Sequence, residues 1–153
     1  IGIEIQNSGH DNKYENFSKK QITSTKKLLR YLIKKYKINQ KNVLGHSDIA
    51  PERKKDPGEK FPWKEFAKSK LSQWHNLDEN KLKKKRLFTL NFVEESEFIK
   101  NLNKIGYFKI SKKNNIIKKK FLISAFQRHF RQTVINGISD KECLLISRNL
   151  SKF

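Results

Sequence analysis

Four residues have types and spacing that suit hydrolytic chemistry: Glu4, His46, Lys54 and Asp56. His46 follows Gly45 directly after the short apolar run that ends at Leu44, so its ring lies at the end of an element. Lys54 and Asp56 are two positions apart between Pro51 and Pro57. If that segment is extended, both side chains point the same way. An imidazole and a carboxylate are zinc ligands, and a catalytic zinc typically takes three protein ligands and a water. A further carboxylate can act as general base on that water, and a lysine can steady a developing oxyanion. On residue types alone, plainer readings stand beside this one. A single His at a strand end is commonly a hydrogen-bonding residue. Asp56 before Pro57-Gly58 suits a turn, and Lys54 beside Lys55 suits a solvated surface. Glu4 alone suits the outer face of a strand. Two ligands are too few for zinc.

The elements that must position these residues can be read from the pattern. Ile1, Ile3 and Ile5 alternate with Gly2 and Glu4, which predicts a strand with the three Ile on one face. Residues 6–17 read as a loop, and 18–37 as a helix with Ile22, Leu28, Leu29, Leu32, Ile33 and Tyr36 on its apolar face. Residues 41–44 read as a short strand. All three prolines lie between Pro51 and Pro62, so this stretch is a shaped loop, leading at Pro62-Trp63 into a short helix through Phe66 and Leu71. Residues 76–86 are polar and end in a basic run, and Leu87–Val93 reads as β-like. Three helices follow. The first carries Phe98, Leu102 and Ile105 and stops at Gly106. The second carries Phe121, Leu122, Ala125, Phe126 and Phe130. The third opens with a Ser139/Glu142 capping box and carries Leu144, Leu145 and Leu150.

Composition narrows the classes. The 153 residues hold 35 Lys+Arg against 15 Asp+Glu, a formal +20. The charge is spread along the chain and is mostly Lys, whereas base-reading surfaces favour the planar Arg fork, so no nucleic-acid partner is expected. No apolar run approaches the roughly 18 residues of a membrane span. The single Cys143 excludes an internal disulfide framework and a Cys-based zinc site. The sequence has no Met and opens directly on the strand pattern, so it is expected to lack its beginning.

The literal motifs are more specific than the composition. IGIEI, followed about forty residues later by VLGHSDIAPERKKDPGEKFPW, resembles the zinc-dependent N-acetylmuramoyl-L-alanine amidases of the AmpD/AmiD-like family over residues 1 to about 75. The resemblance implies that His46 and Asp56 are Zn2+ ligands. It also implies that Lys54 assists catalysis and that Glu4 orients or deprotonates the attacking water. The family's third ligand, a His on a strand before IGIE, has no counterpart here; His10, His75 and His129 do not match it and read as surface or packing residues. Such a chain is expected to be inactive by itself. Residues 94–153, with AFQRHFR and INGISD, resemble the small peptidoglycan-binding domain of the AmiD-like branch.

The expected fold is therefore α/β: a mixed β-sheet with flanking helices, truncated, followed by a small three-helix bundle. Residues 1–77 are assigned to the amidase domain, 78–93 to a linker and 94–153 to the helical domain. The implied activity is zinc-activated hydrolysis of the amide between N-acetylmuramic acid and L-alanine in peptidoglycan or muropeptides, with a non-catalytic recognition module as the alternative. The implied setting is the bacterial cell envelope, with the cytoplasm as alternative; a monomer is expected, and membrane contact only if an N-terminal anchor lies outside this sequence.

Overall fold

The computed structural model describes residues 1–108 and 116–152. Its helices are α1 (Lys19–Tyr36), α2 (His46–Ile49), α3 (Trp63–Lys68), α4 (Glu79–Lys85), α5 (Phe92–Ile105), α6 (Ile116–Phe130) and α7 (Lys141–Leu150). None of them is long and apolar enough to cross a membrane. The local chemistry explains the boundaries. Ser18 starts α1 through a capping box with Gln21: each side chain bonds the other's backbone N–H, at 3.2 and 2.8 Å. Gly106 ends α5 at φ +112°, a conformation that costs glycine little.

Two apolar clusters organise the chain. Leu29 of α1 packs with Phe61, Trp63, Phe66 and Leu71, with Ile3, Ile5, Ile22 and Ile33 at their edge. Phe98, Leu102, Leu122, Phe126, Phe130, Leu144 and Leu150 form the second, around α5, α6 and α7. Leu82 of α4 is buried in this second cluster, although its surroundings, NLDENKLKKKR, are polar. Trp74 packs against both clusters.

The expected mixed sheet is not found. Among the described residues the only β pairing is one isolated antiparallel bridge, Thr89 with Asp140. The physical reasons differ by segment. Ile1–Ile5 keeps its alternation, with Ile3 and Ile5 part-buried and Glu4 exposed, yet no described strand pairs with its backbone. Residues 40–42 form a 3₁₀ turn instead. The Asn39 side chain accepts from Lys41 N–H at 3.1 Å, and Val43 N–H bonds the Gln40 carbonyl, so groups a ladder would need are used locally. In Leu87–Val93, Asn91 and Glu94 form a capping box that starts α5 at Phe92. Likewise Asp140, not Ser139, caps α7, accepting from Cys143 N–H at 2.9 Å, while Ser139 donates to Glu95.

Burial also sets a pH response. His75 is buried against Trp74, and burial pushes its imidazole below the usual histidine range. As pH falls, the unfolded chain, with an ordinary histidine pKa of about 6.5, takes up this proton before the folded one. The stability tied to neutral His75 is complete above that value and is lost as pH falls from there through the lower folded pKa. The urea midpoint should therefore drop more steeply between about pH 7 and 5.5 in the wild type than in His75→Gln. Parallel profiles for the two proteins would contradict this.

Candidate active site

His46 and Asp56 belong to two loops that are folded against each other. Gly45 precedes α2, and its N–H is accepted by the Asp48 carboxylate at 2.8 Å. Ala50 N–H bonds the His46 carbonyl, and Lys54 N–H bonds the Ala50 carbonyl, at 2.8 and 2.9 Å. The chain thus doubles back, and Ser47 N–H reaches the carbonyl of Asp56 at 2.9 Å. His46 Nδ1 then lies 2.6 Å from Asp56 Oδ2. Both side chains are about half exposed, so the pair is open to solvent and to a substrate.

Two glycines permit this approach. A Cβ on Gly45 would come within 2.5 Å of Pro57 Cδ and 3.3 Å of the Trp63 ring. Gly58 has φ +78° and lies under the Tyr14 hydroxyl. That hydroxyl donates to the Pro57 carbonyl at 2.6 Å and accepts from Lys60 N–H at 3.0 Å, clamping the Asp56–Lys60 turn. Burial pushes the Tyr14 phenol up to about 12, so it stays a neutral donor. His10 pairs with Glu59 at 3.0 Å and packs on Tyr14. Because Pro57 and Trp63 are rigid neighbours, Gly45→Ala should push the two loops apart. We expect the His46–Asp56 pairing to loosen, read as a shift of the His46 ring NMR signals. Unchanged His46 signals in Gly45→Ala would show that the contact is dispensable.

The other two sequence candidates, Glu4 and Lys54, are exposed, and no hydrogen bond or ion pair among the described residues joins either to His46 or Asp56. His75 and His129 are buried in the core, in keeping with packing roles. The sequence reading missed Asp48, which is 7% exposed and lies behind His46. Its carboxylate accepts from Tyr107 Oη at 2.7 Å and pairs with His129 Nδ1 at 2.8 Å, as well as holding Gly45. Burial alone would raise its pKa; His129, Tyr107 and Gly45 outweigh burial and hold it below the ordinary range. Tyr107, in turn, is pushed well above 10 by burial and by the Asp48 charge. A local signal for Asp48 existed, an acid three residues after a glycine N-cap, but nothing in the sequence pointed to a partner eighty-one positions away.

The donor chemistry of the pair fits zinc in part. A histidine nitrogen and a carboxylate oxygen converge, and both are proper ligands. Among the described residues there is no group of three His, Cys, Asp or Glu that could hold a metal.

The family model for N-acetylmuramoyl-L-alanine amidase matches residues 1–59, a segment that includes His46 and Asp56. The chain is similar to N-acetylmuramoyl-L-alanine amidases of the AmpD/AmiD kind. It is 31% identical to N-acetylmuramoyl-L-alanine amidase AmiD of Escherichia coli, over 98% of this chain and 56% of that protein. It is 37% identical to 1,6-anhydro-N-acetylmuramyl-L-alanine amidase AmpD of Haemophilus influenzae, over 45% of this chain and 36% of that protein. The chain therefore spans little more than half the length of AmiD. Its fold is similar to that of E. coli AmiD in complex with the substrate anhydro-N-acetylmuramic acid-L-Ala-D-gamma-Glu-L-Lys. The TM-score is 0.79 at 29% identity, over 92% of this chain and 55% of the other. AmpDh3 of Pseudomonas aeruginosa, in complex with anhydromuramic pentapeptide, gives 0.73 at 27% identity over the same shares.

Proposed function

We infer that this chain carries part of the catalytic centre of an N-acetylmuramoyl-L-alanine amidase, which cleaves the amide between N-acetylmuramic acid and L-alanine in muropeptides, including those with an anhydro sugar. The observation that carries this reading is the meeting of His46 and Asp56, from two loops ten residues apart, within the family-matched segment. Residues 1–77 are read as the amidase part and 94–153 as a peptidoglycan-binding-like part. The pairing of the two supports a cell-envelope setting.

In this reading His46 and Asp56 hold Zn2+, which when bound supplies Lewis-acid polarisation and lowers the pKa of water to about 7. Holding zinc requires His46 to present a bare imidazole nitrogen and Asp56 an ionised carboxylate. Glu4, exposed at the edge of the first cluster, takes the proton of the attacking water and returns it to the leaving amine of L-alanine. Lys54, exposed on the doubled-back loop, places its ammonium against the oxygen that becomes negative at the tetrahedral stage. Asp48 and Tyr14 do no chemistry; they fix the two loops.

Substitution kinetics test these roles. In the protein as encoded, Glu4→Gln and Lys54→Ala should each lower kcat by about 100-fold or more with zinc content unchanged, the usual worth of a positioned proton carrier or oxyanion donor. Full turnover in Glu4→Gln would remove it from proton transfer, and full turnover in Lys54→Ala would remove it from the oxyanion.

A further inference from the structure

The C-terminal end of α6 reaches both loops that carry the ligand pair. His129, 2% exposed, is stacked between Trp63 and Phe130, with ring centroids 3.9 and 4.0 Å away and interplanar angles of 17° and 10°. Its plane is therefore fixed, and its Nδ1 meets the Asp48 Oδ2 that also holds Gly45 N–H. Just beyond the helix, Gln132 Nε2 donates to two backbone carbonyls of the other loop, Glu59 at 2.7 Å and Phe61 at 2.6 Å. One helix end thus grips the turn before His46 and the loop after Asp56. The two gripped segments also touch each other, through Ser47 N–H to the Asp56 carbonyl and through the Gly45–Pro57 approach.

Apolar packing alone would not need this arrangement. The bonds are polar and directional, they span eighty-one and seventy-three positions of sequence, and they end on backbone or on a capping carboxylate close to a ligand candidate. Within the loops themselves, backbone bonds close two short turns and the Tyr14 hydroxyl clamps the Asp56–Lys60 turn. We propose that His129 and Gln132 are positioning residues of the amidase centre, holding the His46 turn and the Asp56 loop in register. The helical C-terminal portion is then part of the construction of that centre as well as a module beside it. This rests on the function proposed above.

The test compares His129→Leu, His129→Asn, Gln132→Leu and Phe98→Leu with the wild type, all in the protein as encoded. Zinc dissociation constants are measured by competition with a chelating dye, and thermal midpoints are recorded alongside. Partners that orient metal ligands typically contribute about 10–100-fold in affinity. His129→Leu and Gln132→Leu should therefore weaken zinc binding by about tenfold or more. His129→Asn, which keeps a donor near the place of Nδ1, should recover most of the loss. Phe98→Leu, in the α5–α7 core, should lower the thermal midpoint and leave the zinc constant alone. Wild-type affinity in both His129→Leu and Gln132→Leu would overturn the proposal. So would an equal loss in Phe98→Leu at a matched drop in midpoint.

A second readout separates this proposal from the function it rests on. In metal-free protein, the NMR shifts of the His46 ring report its pairing with Asp56. They should move in His129→Leu and Gln132→Leu and stay in place in Phe98→Leu. If the wild type bound no zinc while those shifts responded as stated, the amidase reading would fail and the positioning role would stand. If the shifts did not respond, the positioning role would fail whatever the wild type binds.

Discussion

His46→Ala and Asp56→Ala should each lower muropeptide hydrolysis by about a thousandfold or more while leaving the fold nearly as stable as before. The two effects separate because of where the side chains lie. Both are about half exposed, so truncation removes little buried area, and an exposed polar contact of this kind contributes only about 0–1 kcal/mol. Lewis-acid stabilisation of the transition state is worth several kcal/mol, and each 1.4 kcal/mol is about tenfold in rate. Asp56→Asn keeps the size of the side chain and its place before Pro57 but removes the charge, so it should follow Asp56→Ala in rate. Rates and urea midpoints measured together check this. Near wild-type turnover in any of the three would remove that residue from the centre.

Asp48→Ala should do the opposite, costing about 2–5 kcal/mol of stability, because buried hydrogen-bonding groups left without a partner cost about 1–3 kcal/mol each. Asp48 and His129 are 7% and 2% exposed, and the carboxylate also receives the Tyr107 hydroxyl and Gly45 N–H. Truncation leaves the His129 imidazole and the Tyr107 phenol without the carboxylate that both bond. A loss of that size is a large part of the roughly 5–15 kcal/mol that holds a domain together. Asp48→Asn retains the shape and one acceptor and should lose less. The urea midpoint should shift without a change of slope, the mark of altered stability. A loss below about 1 kcal/mol for Asp48→Ala would show that the network is not a support of the fold.

The legible parts of this molecule were those written in local chemistry. Ser18 with Gln21 and the 3.6-residue recurrence of Ile22, Leu29 and Ile33 mark α1, and Gly106 marks the end of α5. The approach of His46 to Asp56 is written in one continuous motif of rigid and small residues. The sheet was not. Alternation at Ile1–Ile5 specifies two faces but no partner strand, and Asn39 and Asn91 divert the other two β-like runs into a 3₁₀ turn and a helix cap. Leu82 joins a core that its polar neighbours do not advertise. Asp48, His129 and Gln132 were invisible for a different reason: their meaning lies in partners more than seventy positions away.

The most direct measurement follows peptide release from anhydro-N-acetylmuramic acid-L-Ala-D-gamma-Glu-L-Lys by the protein as encoded, with and without a zinc chelator. The account predicts release of a peptide with a free L-alanine amino terminus, stopped by the chelator and restored by added zinc. Muropeptide binding with no release, or release indifferent to the chelator, would contradict it.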